Sequence, residues 1–158
     1  MICVIQRAVS AAVTVDGSTV GSCSGGDLMA GVLLVLAGIK AGDTPETVRK
    51  MAEKTAAMRI FEDENGKLGL SVRDIGGSVL AVPNFTLCSS CRRGTRPDFT
   101  MAEKPERARE LFDRYVGSLR ETGITVETGV FGADMAVSCR LDGPVTIVLD
   151  SEKDLPAL

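Results

Sequence analysis

The chain contains no histidine. That excludes a Ser-His-Asp or Cys-His machine built within it. It also removes the usual nitrogen ligands for zinc or copper. Any catalysis here must proceed without imidazole, and neither metal nor other cofactor is expected. Long apolar runs are missing as well. The most apolar stretch, "LMAGVLLVLAGI" (residues 28–39), falls well short of the roughly 20 residues that span a bilayer. It reads instead as a buried strand, and no membrane partner is expected. The opening "MICVIQRAVS" lacks the basic leader, apolar core and cleavage site of a secretory signal, so a cytoplasmic protein is expected. Positive charge is not in excess either. Lys and Arg number 18 against 21 Asp and Glu, a net charge of −3. This is not the balance of a general nucleic-acid binder, and DNA is not an expected partner.

Five cysteines at irregular spacings make a poor disulfide framework, so reduced thiols are expected. Cys88 and Cys91 form a C-x-x-C, but a structural zinc needs four ligands and there is no second pair. A redox pair of that kind should open a helix after a strand, whereas arginines, glycine and proline follow here. Two structural thiols is the better reading. "GSCSGG" and "IGG" lack the lysine of a phosphate loop and read as turns. "FEDENG" does not have the spacing of a calcium loop and reads as an exposed turn.

The pattern along the chain predicts one domain over residues 1–151, with a loose tail at 152–158. "CVIQRAVSAAVTV" and "STVGSCSGG" flank Asp16-Gly17, a dipeptide suited to a tight hairpin. The run at 28–39 predicts a central strand covered on both faces. A helix follows, capped by Asp43 or Thr44 with Pro45 in its first position. Its inner stripe is Val48, Met51, Ala52, Thr55 and Met58. "LGLSV" and "GSVLAVPNFTL" read as strands, with Pro83 marking a bulge, an edge or a strand end. A second helix is predicted over residues 102–121, with Thr100 and Glu103 at capping-box spacing. Its stripe is Ala108, Leu111, Phe112, Tyr115, Val116 and Leu119, and Gly123 ends it. "ITVETGVF", "MAVSCRL" and "VTIVLD" complete the strands. Strands dominate and do not alternate with the two helices as β-α-β units. The expected class is therefore α+β, a largely antiparallel, barrel-like sheet with two main helices.

Three segments resist a purely structural reading. "CRRGTRP" concentrates Arg92, Arg93 and Arg96 in an acidic chain, and Lys104, Arg107 and Arg109 follow soon after. A solvated loop and helix face would explain them equally well. "FGADM" and "DGPVT" could be plain turns between strands, although Gly143-Pro144 is a place where a cis peptide can occur.

Taken in order, "VIQRAVSAAVTVDG", "GVLLVLAGI", "RIFEDENGK", "VPNFTL", "RRGTRPDFT", "VETGVFGADMAVS" and "DGPVTIVLD" resemble the D-aminoacyl-tRNA deacylases over roughly residues 1–151. The resemblance implies a barrel-like homodimer with its active site at the subunit interface. The implied substrate is an aminoacyl-tRNA, and the implied activity is hydrolysis of the ester that joins a D-amino acid, or mischarged glycine, to tRNA. Gly143 and Pro144 match the family's Gly–cis-Pro signature, whose carbonyls receive the substrate's amino group inside the partner's pocket. Arg7 matches the arginine that braces that loop. Phe85 and Thr86 match the catalytic segment, with the Phe85 N–H facing the oxyanion. Asn84, Ala133 and Met135 match substrate-binding positions, and Arg92, Arg93 and Arg96 become candidate tRNA contacts. The family's usual run is Ser-Gln-Phe-Thr, whereas this chain has Pro83-Asn84-Phe85-Thr86. A sister group with proline at the first place accepts L-alanine on tRNA. That leaves two alternatives beside the D-specific hydrolase: an L-alanyl-tRNA editor on the same fold, and a weakly active module that binds the tRNA end.

Overall fold

A computed structural model describes residues 1–25, 31–92 and 94–156. The first residues of the predicted strand at 28–39, and Arg93, lie outside them. In chain order the elements are β1 (Ile2–Val15), β2 (Ser18–Ser24), β3 (Val32–Gly38), α1 (Pro45–Ala57), β4 (Arg59–Glu62) and β5 (Leu68–Ser71). They continue with β6 (Ser78–Pro83), a 3-10 turn (Phe85–Cys88), α2 (Pro105–Glu121), β7 (Thr125–Thr128), β8 (Ala136–Asp150) and α3 (Ser151–Asp154). Among the described residues, no helix is long and apolar enough to cross a membrane.

β1 is the spine of the sheet. On one edge its first half pairs with β3 and its second half with β2, and β8 runs along its other edge, all antiparallel. β6 then pairs with β3, and β7 with β6, both parallel. The Asp16-Gly17 turn has positive φ at both residues, 49° and 78°, the form whose twist matches two antiparallel strands. A side chain on Gly21 would collide with the Thr128 carbonyl, so glycine lets β2 curl back against β7 and nearly close a barrel. The α+β class and the barrel-like sheet are those expected from the sequence, but the sheet is mixed. Both main helices are crossovers between parallel strands, α1 from β3 to β6 and α2 from β6 to β7. The β4–β5 hairpin and the loop at 89–104 lengthen these crossovers and hide the alternation.

Helix boundaries follow local chemistry. Thr44 caps α1 and exchanges hydrogen bonds with Thr47, with Pro45 next. α2 differs from its predicted start. It begins at Pro105 behind Lys104, which makes no side-chain cap, because proline's fixed φ suits the first helical position while Thr100 is held in a turn by Asp98. The chain end also differs: Ser151–Asp154 form a helical turn capped by Asp150, whose carboxylate pairs with the buried Lys40.

Two apolar clusters use the two faces of the sheet. On one face Ile5, Leu33, Val35 and Val79 meet Val48, Met51, Leu111 and Leu119, all fully buried. Each such side chain contributes about 1.5–3 kcal/mol relative to exposure. Burial pushes the Cys3 thiol in this layer up to about 12, partly opposed by its hydrogen bond to Tyr115, so it stays a neutral packing group. On the other face Ala8, Val13, Val32, Leu34, Leu80 and Val82 form a smaller cluster, with Leu36 and Met135 packed at its edge. β3 is apolar throughout because both of its faces are covered.

The β1–β8 ladder shifts register twice, by a small irregularity between Ala8 and Ser10 and by a larger break between Gln6 and Ala8. Gln6 pairs with Thr146 and Ala8 with Leu141, so residues 142–145 are looped out of the ladder. "MAVSCRL" and "VTIVLD" are thus two halves of one strand, interrupted by the "DGPV" excursion. Arg7 lies on β1 at the break, 6% exposed. Its Nε donates to the Asp142 carbonyl (3.4 Å) and lies 2.9 Å from the Asp142 carboxylate, while a terminal nitrogen donates to the Ile60 carbonyl at 2.9 Å. Charge-assisted bonds of this kind contribute roughly 1.5–3 kcal/mol each. Arg7→Met keeps the apolar stem and removes all of them. Hydrogen exchange at the Leu141 and Thr146 amides, which flank the excursion in the β1–β8 ladder, should accelerate at least about tenfold, with exchange along the β1–β3 ladder little changed. Unchanged exchange at 141 and 146 would show that the excursion holds itself in place.

Candidate active site

β6 ends at Pro83, as a residue without a donor N–H allows. The chain then turns sharply over β3. Asn84 N–H donates to the Ala37 carbonyl at 2.8 Å. A Cβ on Gly38 would lie 2.8 Å from the Asn84 carbonyl oxygen and 3.0 Å from Cys88 Sγ, so only glycine lets the turn sit this close to β3. The Asn84 side chain closes the turn from its own end. Its Oδ1 accepts from Thr86 N at 3.1 Å and from Thr86 Oγ1 at 2.5 Å. The Thr86 hydroxyl proton is thereby committed to an amide oxygen, and the Phe85 ring stands out, 58% exposed.

Facing this turn is the "FGADM" loop. Ala133 N–H donates to the Val130 carbonyl at 3.3 Å, and Gly132 has φ 81°. Phe131 anchors the loop to α2, with its ring 6.4 Å from Phe112, and the Arg109 guanidinium 5.0 Å above it also donates to its carbonyl. Between the turn and the loop opens a cavity of about 650 Å³. Asn84, Phe85, Thr86, Ala133 and Met135 all line it. Its floor is Leu34, Leu36 and Val82, the unsealed end of the second apolar cluster, with Gln6 and Cys139 contributed by β1 and β8.

Gly143 and Pro144 are not among the lining residues. They sit on the exposed excursion of β8, with the peptide between them cis and Gly143 at φ 127°. Arg92 and Arg96 line a different cleft of about 430 Å³, formed with Ser90, Asp98, Thr100 and Met101. Ser90 and Asp98 exchange backbone hydrogen bonds (2.8 and 2.9 Å) and bring the two arginines to one side of the loop. The other cations predicted nearby are engaged in part: Arg107 pairs with Glu110, and Arg109 holds Phe131.

The C-x-x-C is divided. Cys88 is buried with its thiol on the Ile39 carbonyl, and burial raises its pKa, whereas a reactive thiolate needs the reverse. Cys91 is exposed, and all five cysteines are free. In "FEDENG" the Asp63 carboxylate accepts from the N–H groups of Asn65 and Lys67, as a self-contained turn does.

Sequence reasoning missed Gln6, Leu34, Leu36 and Cys139 as cavity residues, because they look like ordinary strand positions. It also missed Phe99, whose ring lies edge-on to Phe85 with centroids 5.1 Å apart. The hold of Asn84 on Thr86 was readable in principle, since asparagine two residues before a threonine is a common side-chain-closed turn.

The whole chain has close counterparts. A protein named D-aminoacyl-tRNA deacylase from Geobacter sulfurreducens is 50% identical over 149 residues, 94% of each chain. Proteins of the same name from Rhodopirellula baltica and Thermus aquaticus are 50% and 49% identical, covering 93% and 95% of this chain and 97% and 95% of their own. The solved structure titled c-Myc DNA Unwinding Element Binding Protein superposes with a TM-score of 0.86 at 36% identity, covering 95% of this chain and 98% of its own. A probable eukaryotic D-amino acid tRNA deacylase shares the fold, with a TM-score of 0.75 at 16% identity, over 94% of this chain and 98% of its own. The family model described as D-Tyr-tRNA(Tyr) deacylase matches residues 4–150, and this chain belongs to that family.

Proposed function

We propose that this protein hydrolyses the ester linking a D-amino acid, or mischarged glycine, to the terminal ribose of tRNA, and so removes D-residues before translation. Family membership across the chain supports the reaction class. The observation that carries it to a site is the cavity between the 83–86 turn and the 132–135 loop, large enough for an aminoacylated nucleoside.

The chemistry needs no imidazole. Water adds to the ester carbonyl and the carbonyl oxygen becomes an oxyanion. The carbon–oxygen bond to the ribose then breaks, and the departing ribose oxygen takes a proton. The Phe85 N–H, at the start of the 3-10 turn, is assigned to the oxyanion. A donor fixed in place there contributes roughly 3–4 kcal/mol to the barrier. Thr86 is not the nucleophile in this reading. Its proton lies on the Asn84 amide oxygen, which is not a base, so the hydroxyl has no route to an alkoxide. The ribose 2′-hydroxyl, next to the ester, assists the water, while Thr86 positions the reacting group.

Two subunits complete the site. The cavity wall lacks Gly143 and Pro144, and the loop that carries them is exposed. The solvent side of β8 also presents Val137, Leu141 and Val148, 40%, 41% and 62% exposed, as an apolar face for a second copy. In the dimer each loop enters the partner's cavity, and its carbonyls accept from the substrate's amino group. An L-side chain would then run into the wall so formed. Arg92, Arg93 and Arg96 are assigned to tRNA phosphates, in the cytoplasm.

Hydrolysis of D-Tyr-, Gly- and L-Ala-tRNA, measured side by side, tests this reading. D-Tyr-tRNA and Gly-tRNA should be cleaved far faster than L-Ala-tRNA; preferential cleavage of L-Ala-tRNA would place the chain with the L-alanyl editors, and cleavage of none would leave only a tRNA-end-binding module. Thr86→Ala should retain single-turnover hydrolysis to within about tenfold, the value of one hydrogen bond. Complete loss in a folded variant would restore a nucleophilic threonine. Neutralising Arg92 and Arg93 together should raise KM for the charged tRNA and flatten its salt dependence by about two phosphate contacts. An unchanged KM at low salt removes the assignment.

A further inference from the structure

Aromatic side chains are scarce here, five phenylalanines and one tyrosine. Tyr115, Phe61 and Phe112 are buried, and Phe131 packs against the main apolar cluster. Phe85 and Phe99 are the exceptions, 58% and 38% exposed. They touch each other rather than the core, edge to face at 63° with centroids 5.1 Å apart. That arrangement suits two rings electrostatically, and both rings remain partly exposed.

Phe99 is fixed from both sides. The Ser90–Asp98 bridge holds the residue before it, Thr100 N–H donates to Asp98 Oδ1 at 2.8 Å, and Ala102 N–H donates to the Phe99 carbonyl at 3.0 Å. The same bridge closes the loop that carries Arg92 and Arg96. Phe99 thus touches Phe85 in the wall of the reaction cavity, while its chain neighbours Asp98 and Thr100 line the cationic cleft. Unpaired nucleotides suit this combination, offering a base face to the ring and a phosphate to the arginines. An apolar protein surface would leave the arginine charges uncompensated.

We infer that Phe99 is a stacking platform for the unpaired nucleotide that precedes the esterified one in the substrate's 3′ strand. This rests on the deacylase reading and extends it. The ester enters the cavity at Phe85 and Thr86, the next base lies on Phe99, and the strand's phosphates continue toward Arg92 and Arg96. Phe99 is a binding and positioning residue, not a catalytic one.

The test uses the full-length protein with two readouts. In the first, an RNA hairpin with an unpaired 3′ tail carries 2-aminopurine at its penultimate position. Wild type should quench its fluorescence on binding, Phe99→Ala should lose most of the quenching at saturation, and Phe99→Trp should keep it. In the second, hydrolysis of D-aminoacyl-tRNA is compared with that of the same D-amino acid esterified to adenosine alone. Phe99→Ala should cut the preference for the tRNA about tenfold, within the range for one stacked base. Equal quenching by wild type and Phe99→Ala overturns the inference. So does an equal loss on both esters, which would make Phe99 only a prop for Phe85. If wild type cleaves neither ester, the deacylase reading fails, while the fluorescence readout still decides whether Phe99 stacks a base.

Discussion

The structure depends on a guanidinium placed where a ladder breaks. β1 organises three neighbours, and at Arg7 it loses register with β8. Residues 142–145 leave the sheet there, and without a tether they would be an exposed, glycine-containing loop. Arg7 supplies the tether from inside the protein, holding the Asp142 carbonyl and carboxylate and the Ile60 carbonyl together. Arginine suits this task because its planar fork carries several donors in fixed directions and keeps its charge when buried. The partner carboxylate is half exposed, so the pair escapes much of the desolvation cost of a fully buried ion pair. β4, β1 and β8 are thereby tied at the base of the projecting segment.

The same economy governs the cavity. Its floor is simply the end of an apolar cluster left uncovered, so no separate scaffold is needed to shape it. Its reactive edge is a turn whose geometry is set by backbone groups: the Asn84 N–H on Ala37, the close approach to Gly38, and the Asn84 side chain on Thr86. Backbone donors fixed in this way need no reorganisation when charge develops, so a chain without imidazole can still stabilise an oxyanion. The Asn84 side chain reaches back to its own turn, where its Oδ1 accepts from both the N–H and the hydroxyl of Thr86.

Much of the fold was legible in the sequence because local chemistry and tertiary packing agree. Asp16-Gly17 forms the tight turn it favours, Thr44 and Pro45 open a helix, and the Leu111–Leu119 stripe is the buried one. The parallel pairing was not legible, since the β4–β5 hairpin and the arginine loop interrupt the crossovers that would have announced it. The start of α2 was misplaced because two signals competed and Pro105 outweighed the Thr100–Glu103 spacing. Of the site residues expected from the sequence, the 83–86 run and the 132–135 loop line one cavity, while Arg7 and Gly143-Pro144 lie outside its lining. The floor residues and Phe99 could not be read from the sequence. Leu34, Leu36 and Gln6 differ from their strand neighbours only in what the barrel leaves uncovered, and Phe99 matters only through a partner fourteen positions earlier in the chain.

Charge distribution connects the site to its proposed substrate. With a net charge of −3 the surface as a whole repels a polyanion, and that repulsion is screened over about 8 Å at physiological salt. A cationic cleft beside the cavity therefore attracts nucleic acid only at short range, once a strand end is already near. Neighbouring cations are partly spent elsewhere, Arg107 on Glu110 and Arg109 on Phe131, which keeps the attractive field local. On the proposed reading, such a surface would bind the body of an RNA weakly and reserve its affinity for an unpaired end that offers a base, a phosphate and an ester together. Weak body contacts would also favour release of the product, because once the ester is cut the contacts made by the amino acid are lost and only the cleft and the aromatic ring would hold the nucleic acid.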